Sequence, residues 1–181
     1  MATETEIKVI IGDTGDFCRQ LAVLNPTIHA DRHFEDNYLL DFPDQQLRSR
    51  QCLLRIRSAG GRQFLTYKGP PRSEGIFKVR EELETVFDDA AILLQTLERI
   101  GLRVCFQYQK YRREFAVGEL RVAVDETPVG NYVEFEGPED GIREAAARIG
   151  IDESRFLRSS YYTLYLDYCR DRGETPGFMV F

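Results

Sequence analysis

Apolar and polar residues alternate with a period of two along most of the chain, as they do in strands with one buried and one polar face. Glu4, Glu6 and Lys8 interleave with Ile7, Val9 and Ile11, which predicts a strand over 3–11. The same pattern predicts strands at 28–41, 52–59, 62–69, 77–87, 102–117, 120–126 and 131–137, eight in all. The period lengthens to that of a helix in four places. Asp13 or Thr14 caps a helix over 15–24 that carries Phe17, Leu21 and Leu24 and stops before Asn25-Pro26. Asp88-Asp89 opens a second, which runs to Ile100 with Ile92, Leu93 and Leu97 on its buried stripe and Gly101 as its stop. Two more are expected near 139–149 and 154–171, the last rich in tyrosine (Tyr161, Tyr162, Tyr165, Tyr168). With no internal repeat, low-complexity tract or linker, the expectation is a single domain over 1–181.

Two turns fix strand registers. Ala59-Gly60-Gly61-Arg62 is a two-residue hairpin turn, so Arg55 faces Thr66. Directly opposed residues share a face, which puts Arg55, Arg57, Thr66 and Lys68 on one side and Leu54, Ile56, Leu65 and Tyr67 on the other. Val117-Gly118-Glu119-Leu120 likewise sets Arg112 opposite Asp125, with Lys110 on the same face. Arg80, Glu82 and Glu84 at i, i+2, i+4, and Glu134 with Glu136, repeat the theme.

Composition narrows the class. A hydrophobic fraction of 43% in 181 residues supplies one core. The 30% of charged residues comes with 12% aromatics and seven prolines, which excludes a disordered chain. Twenty-four basic against 30 acidic residues give a net charge of −6, which argues against nucleic acid held on the surface by bulk electrostatics. The start, Met-Ala-Thr-Glu-Thr-Glu, is acidic, and no stretch is long and apolar enough to span a membrane, so a cytoplasmic protein without membrane partners is expected. Cys18, Cys52, Cys105 and Cys169 are scattered and suit reduced thiols. His29 and His33 are too few for the usual metal or triad chemistry.

The charged strand faces hold seven acids (Glu4, Glu6, Glu82, Glu84, Asp125, Glu134, Glu136) and seven bases (Lys8, Arg55, Arg57, Lys68, Arg80, Lys110, Arg112). For one strand alone, a polar face turned to water is the first explanation. Three features together favour another. The opposite faces are strongly apolar and several amphipathic helices are on hand to cover them, so in a closed sheet the charges point into a lumen. Of only four lysines in the chain, Lys8, Lys68 and Lys110 sit on these faces. The acids come as E-x-E pairs, carboxylates about 7 Å apart on one face, which suits Mg²⁺ or Mn²⁺ completed by phosphate oxygens and water. Arginine forks and lysines match phosphate oxygens, so the expected ligand is a long anion inside a charged barrel.

Glu4-Thr5-Glu6-Ile7-Lys8 matches the E-x-E-x-K signature of the CYTH superfamily, the triphosphate tunnel metalloenzymes, which includes class IV adenylyl cyclases, thiamine triphosphatases and inorganic triphosphatases. The resemblance continues in order through Leu53-Leu54-Arg55-Ile56-Arg57, Leu65-Thr66-Tyr67-Lys68-Gly69-Pro70, Arg80-x-Glu82-x-Glu84, Lys110-x-Arg112, Asp125 and Gly130-Asn131-Tyr132-Val133-Glu134-Phe135-Glu136. It implies an α+β fold, a closed eight-stranded antiparallel β-barrel with helices packed outside. It implies Glu4, Glu6, Glu134 and Glu136 as the principal metal carboxylates, with Glu82, Glu84 and Asp125 assisting, and Lys8, Arg55, Arg57, Lys68, Arg80, Lys110 and Arg112 as the phosphate clamp. Glu4, Glu6 and Lys8 are the implied catalytic group. The segment Glu35 to Pro43 resembles the family's Q-x-D-x-Y-Y-D-T-P stretch only in part, keeping Asp41 and Pro43. Arg158 stands where the family usually has a lysine before Ser-Tyr, and the tyrosines after it read as helix packing.

The motifs look closest to the class IV cyclase-like branch, which implies ATP converted to cyclic AMP and pyrophosphate with Mg²⁺ or Mn²⁺. The alternative is a triphosphatase acting on inorganic triphosphate, a nucleoside triphosphate or thiamine triphosphate. The absence of tryptophan disfavours the last, and a non-catalytic polyphosphate-binding module comes third. A monomer or homodimer is expected.

Overall fold

Eight antiparallel strands close on themselves in the order β1-β5-β4-β3-β2-β6-β7-β8, in a computed structural model that describes residues 2–72 and 75–181. The strands are β1 (Ala2–Ile11), β2 (Thr27–Asp41), β3 (Leu53–Ala59), β4 (Arg62–Lys68), β5 (Lys78–Phe87), β6 (Arg103–Val117), β7 (Leu120–Thr127) and β8 (Gly130–Glu136). All eight fall where alternation puts them. The Gly60-Gly61 turn, with both residues at positive φ (54° and 77°), sets Arg55 opposite Thr66, and the Gly118 turn sets Arg112 opposite Asp125, both as read from the sequence.

Alternation then sorts the faces. Ile7, Val9, Val122, Val133 and Phe135 are fully buried outside the barrel wall. Helices α1 (Thr14–Leu21) and α4 (Glu139–Arg148) cover them with Phe17, Leu21, Ile142 and Ala146. Each of the larger of these side chains, Phe17, Leu21 and Ile142, contributes about 1.5–3 kcal/mol through burial. Helix α3 (Ala90–Arg99) lays Leu93, Leu94 and Leu97 over Leu40 and Ile56. Asp13 and Asp89 are the caps, accepting from the amides of Asp16 and Ile92.

Two local features depart from the sequence reading. A four-residue helix α2 (Gln46–Ser49) follows β2 and was not anticipated. It is organised by Asp41, whose carboxylate accepts the amides of Phe42, Leu47 and Arg48 at 2.7, 2.9 and 2.9 Å. The helix expected over 154–171 begins only at Tyr161, as α5 (Tyr161–Arg172), after a 3-10 turn at Glu153–Arg155. The reason lies in β1, which pairs with β5 only as far as Glu6. Leu157 takes up the free edge beyond, exchanging both backbone hydrogen bonds with Lys8 at 2.8 and 2.9 Å. Extended backbone there wins over helix, and Ser160 becomes the cap, its Oγ accepting the Thr163 amide. Met179 fills a second such gap, bonding to the backbone of Gln107 and Gln109 on β6 ahead of its pairing with β7.

Candidate active site in the barrel lumen

The inward faces enclose a cavity of about 890 Å³ lined by charged side chains. Glu4, Glu6, Lys8, Arg55, Arg57, Lys68, Arg80, Glu82, Glu84, Lys110, Arg112, Glu134 and Glu136 all line it. Asp125 lies deeper, with none of its surface exposed, inside the wall. The barrel thus brings together residues from β1, β3, β4, β5, β6 and β8 that are up to 132 positions apart in sequence.

Antiparallel register sets acid against base around the wall: Glu4 opposite Arg80, Lys8 opposite Glu134, Lys68 opposite Glu82, Arg112 opposite Asp125. Lys68 Nζ lies 2.6 Å from Glu4 and 3.0 Å from Glu82. Lys8 Nζ lies 3.1 Å from Glu134 and 3.4 Å from Glu6. Arg112 bridges Glu134 and Asp125, both at 2.6 Å, and Lys110 joins Asp125 at 2.9 Å. Arg55 donates to Tyr108 Oη and Thr66 Oγ1. Thr66 in turn donates to Glu84, which is part-exposed at the lumen's edge. Arg80 is engaged differently, its guanidinium donating to the carbonyls of Gly69, Lys68 and Gln51.

Sequence reasoning missed two buried charges. Lys78, two residues before Arg80 on β5, lies opposite Glu6 and bonds it at 2.8 Å. The spacing alone could have assigned it, and it makes all four lysines lumenal. Glu35 on β2 is 1% exposed and pairs at 3.5–3.6 Å with Arg57 and Lys110. Its signal was the position two before Asn37, inside the partly matching segment. With Asp31, Glu114, Arg62 and Arg121 also in the lining, three acids and three bases join the set, so the lumen stays near neutral and the net charge of −6 belongs to residues outside it.

Burial and charge set the protonation states. Burial, with Glu6 and Glu82 nearby, pushes the Glu4 carboxyl up to about 7 although Lys68 opposes it. Burial also raises Glu136. Lys8, Lys110 and Arg112 overcome burial to hold Glu134 well below the usual carboxylate range, and Lys110, Arg57 and Arg112 do the same for Glu35. Lys8 is held as a cation by Glu134 and Glu6. For Lys78, burial outweighs the Glu6 contact and lowers its pKa.

Tyr161 joins the polar network as well as the helix packing expected of it. Its hydroxyl donates to Asp125 Oδ2, and its ring faces Lys8 and Lys110 at 5.3 and 4.9 Å. Beyond it lies a second cavity of about 920 Å³ with Leu39, Phe42, Leu54, Phe106 and Tyr162 among its walls. The two cavities share Leu53, Lys78, Arg80, Tyr108, Ser160 and Tyr161. Arg158 borders the second and reaches the carbonyls of Arg72 and Gly75.

Among the described residues, the His, Cys, Asp or Glu ligand atoms that gather three together within 4.8 Å are those of His33, Glu35 and Glu114. The carboxylates of Glu4, Glu6 and Glu134 are each held by lysine or arginine instead.

Residues 2–161 match the CYTH domain family. The chain belongs to this family. A Methanocaldococcus jannaschii protein that carries the name "Putative adenylate cyclase MJ0240" is 28% identical to it over 172 residues, covering 89% of this chain and 97% of the relative. The PH1819 protein from Pyrococcus horikoshii OT3 superposes with a TM-score of 0.72 at 24% identity, over 91% of this CYTH chain and 98% of its own. A Hippeastrum protein, HpAC1, named for adenylyl cyclase and for a dominant triphosphatase activity, superposes with a TM-score of 0.64 at 19% identity, over 96% and 97% of the two chains. Both structures share the tunnel fold. No helix among the described residues is long and apolar enough to cross a membrane.

Proposed function

We propose that this CYTH protein is a divalent-metal-dependent enzyme that binds a nucleoside triphosphate in the barrel lumen and acts as an adenylyl cyclase, converting ATP to cyclic AMP and pyrophosphate. The observation that carries the nucleotide reading is the apolar cavity joined to the charged one. A triphosphate alone needs only the lumen, whereas ATP also needs an apolar space for its nucleoside, and the cavity beyond Lys78 and Arg80 supplies one. The name of the M. jannaschii relative points the same way.

In this reading Lys8, Arg55, Arg57, Lys68, Lys110 and Arg112 hold phosphate oxygens. Arg80 organises the carbonyls at the junction of the two cavities. Asp125, buried under Lys110, Arg112 and Tyr161, positions these groups rather than facing the ligand. Glu4, Glu6, Glu134 and Glu136, with Glu82 and Glu84, would hold Mg²⁺ or Mn²⁺. The fit rests on their chemistry: an all-oxygen donor set, in which burial and crowded acids already raise Glu4 and Glu136. When bound, the metal neutralises phosphate charge and polarises the reacting phosphorus. The ribose 3′-oxygen attacks the α-phosphorus, the bond from that phosphorus to the oxygen bridging to the β-phosphate breaks, and pyrophosphate leaves. Lys8, held as a cation by Glu134 and Glu6, stays charged against the developing negative charge.

Triphosphate hydrolysis is the second reading. The same clamp and metal carboxylates serve attack by water as well as by a ribose hydroxyl, and HpAC1, of like fold, is named for that activity. Incubation with ATP and Mg²⁺ or Mn²⁺, followed by chromatographic separation of products, decides between them. Cyclic AMP and pyrophosphate in equal amounts support the cyclase. ADP and phosphate without cyclic AMP replace it by the triphosphatase, and no turnover of ATP or inorganic triphosphate removes both.

A further inference from the structure

Both histidines of the chain lie in the wall of the lumen, on the same stretch of β2 and away from the E-x-E carboxylates. Two register shifts in the β2–β6 pairing, between Ile28 and Ala30 and between Ala30 and His33, interrupt the regular alternation there. Irregularities of this kind re-aim side chains. Here they bring His29 and His33 to the same neighbour, Glu114 on β6. His33, Glu35 and Glu114 each place a ligand atom within 4.8 Å of the other two, and His29 Nε2 lies 3.9 Å from Glu114 Oε2.

Three details make this more than a cluster of charges. The His33 Nδ1 is bonded to the Asp31 carbonyl at 2.8 Å, which fixes that nitrogen as the N–H and makes Nε2, on the side of Glu35, the nitrogen that a metal would take in exchange for a proton. That Nε2 is 3.6 Å from Glu35 Oε1, close to the edge of about 3.4 Å that two ligands at about 2.1 Å make on a tetrahedral ion. Glu35 is 1% exposed, lines the cavity, and its Oε2 has no hydrogen-bond partner among the described residues. Its nearest cations, Arg57 and Lys110, stand at 3.5 and 3.6 Å without a hydrogen bond. A buried carboxylate oxygen left in that state costs free energy, which a bound cation recovers. Glu114 Oε2 accepts from Arg121 Nη1 at 3.2 Å, which leaves Oε1 for a ligand.

We infer that His33, Glu35 and Glu114 form a transition-metal site in the lumen wall, separate from the E-x-E carboxylates and suited to Zn²⁺ or its neighbours in the first row. Imidazole nitrogen with carboxylate oxygen favours those ions over Mg²⁺, which prefers oxygen alone. Because His33 lies opposite Arg112 and Glu35 opposite Lys110, an ion there faces the same lumen as the expected phosphate clamp. It would add a fixed positive centre at the end of a bound polyphosphate.

Two histidines make the test direct. Zn²⁺, and separately Co²⁺, are titrated into the full, ligand-free chain while the two imidazoles are followed by NMR, without any assay of turnover. One equivalent of Zn²⁺ is expected to shift the His33 ring signals, with Co²⁺ adding large paramagnetic shifts and a visible absorption band. His33→Gln and Glu114→Gln, checked for fold by circular dichroism, are each expected to weaken Zn²⁺ affinity at least tenfold, while in Glu6→Gln the Zn²⁺-induced shift of the His33 ring persists. Imidazole signals that stay in place while the protein binds metal, or no binding at micromolar concentrations, overturn the inference. So does a loss of affinity in Glu6→Gln with none in His33→Gln. None of these results bears on whether ATP is turned over, so the two proposals fail separately.

Discussion

Arg112 meets Asp125 through two parallel bonds, Nε to Oδ1 at 2.7 Å and Nη2 to Oδ2 at 2.6 Å, in a place where neither side chain is more than 9% exposed. The register that a two-residue turn imposes five residues away makes this pair. Removing one partner leaves a buried charge uncompensated, which costs about 3–5 kcal/mol. Asp125→Ala is therefore expected to lower Tm by roughly 6–20 °C in a domain of this size. Loss of the Tyr161 contact is expected to loosen the start of α5 as well. Differential scanning calorimetry with hydrogen exchange on α5 checks both; an unchanged Tm would mean that the pair is not formed.

Glu134 lies between Lys8 and Arg112, and Glu4 beside Lys68. Replacing either with glutamine keeps the shape and removes a metal carboxylate. Glu4→Gln and Glu134→Gln are expected to lose metal-dependent turnover by at least about a hundredfold with an unaltered circular dichroism spectrum. Normal turnover with normal metal dependence in either would detach that residue from the metal.

Arg55 and Lys68 are cations of the phosphate clamp, and Lys68 also pairs with the metal carboxylates Glu4 and Glu82. Each charge-assisted hydrogen bond contributes about 1.5–3 kcal/mol, so Arg55→Ala and Lys68→Ala are expected to weaken a non-hydrolysable triphosphate roughly ten- to a hundredfold. Calorimetry reads this directly, and undiminished affinity in both would show that the ligand avoids this face.

Opposite pKa shifts give the metal-free protein a two-sided stability profile. Glu35 and Glu134 are held below 4.5, their unfolded value, so their contribution is complete above pH 4.5 and lost as the pH falls towards their folded values. Glu4 is raised from 4.5 to about 7, so its protonated form favours the fold at low pH and that contribution is lost as the pH rises through 7. Tm is expected to peak between these limits. Glu4→Gln should flatten the alkaline side and leave the acid side in place; a Tm that rises steadily from pH 5 to 8 would contradict the Glu4 assignment.

Strand positions were legible because most of each strand alternates between an apolar face outside the barrel and a charged face in the lumen. The hairpin glycines carried the register, and with it the pairing of Arg112 with Asp125. What escaped was set by partners remote in sequence. The late start of α5 depends on a gap beside β1 that Leu157 fills, and α2 depends on the Asp41 carboxylate reaching three amides. Tyr161 read as helix packing because nothing local signals that its hydroxyl meets Asp125, 36 residues away. The two histidines escaped because irregular pairing at the start of β2 breaks the alternation that placed the other lumen residues, whereas Glu35 lies in regular register opposite Lys110.

At the centre of the account is a lumen whose opposed charges receive a triphosphate together with a divalent cation. Calorimetric titration of the wild-type chain with a non-hydrolysable ATP analogue, with Mg²⁺ or Mn²⁺ and again with chelator, tests it most directly. One site per chain, markedly tighter with metal and weakened in Lys68→Ala, is the expected result; no binding with either metal would contradict it.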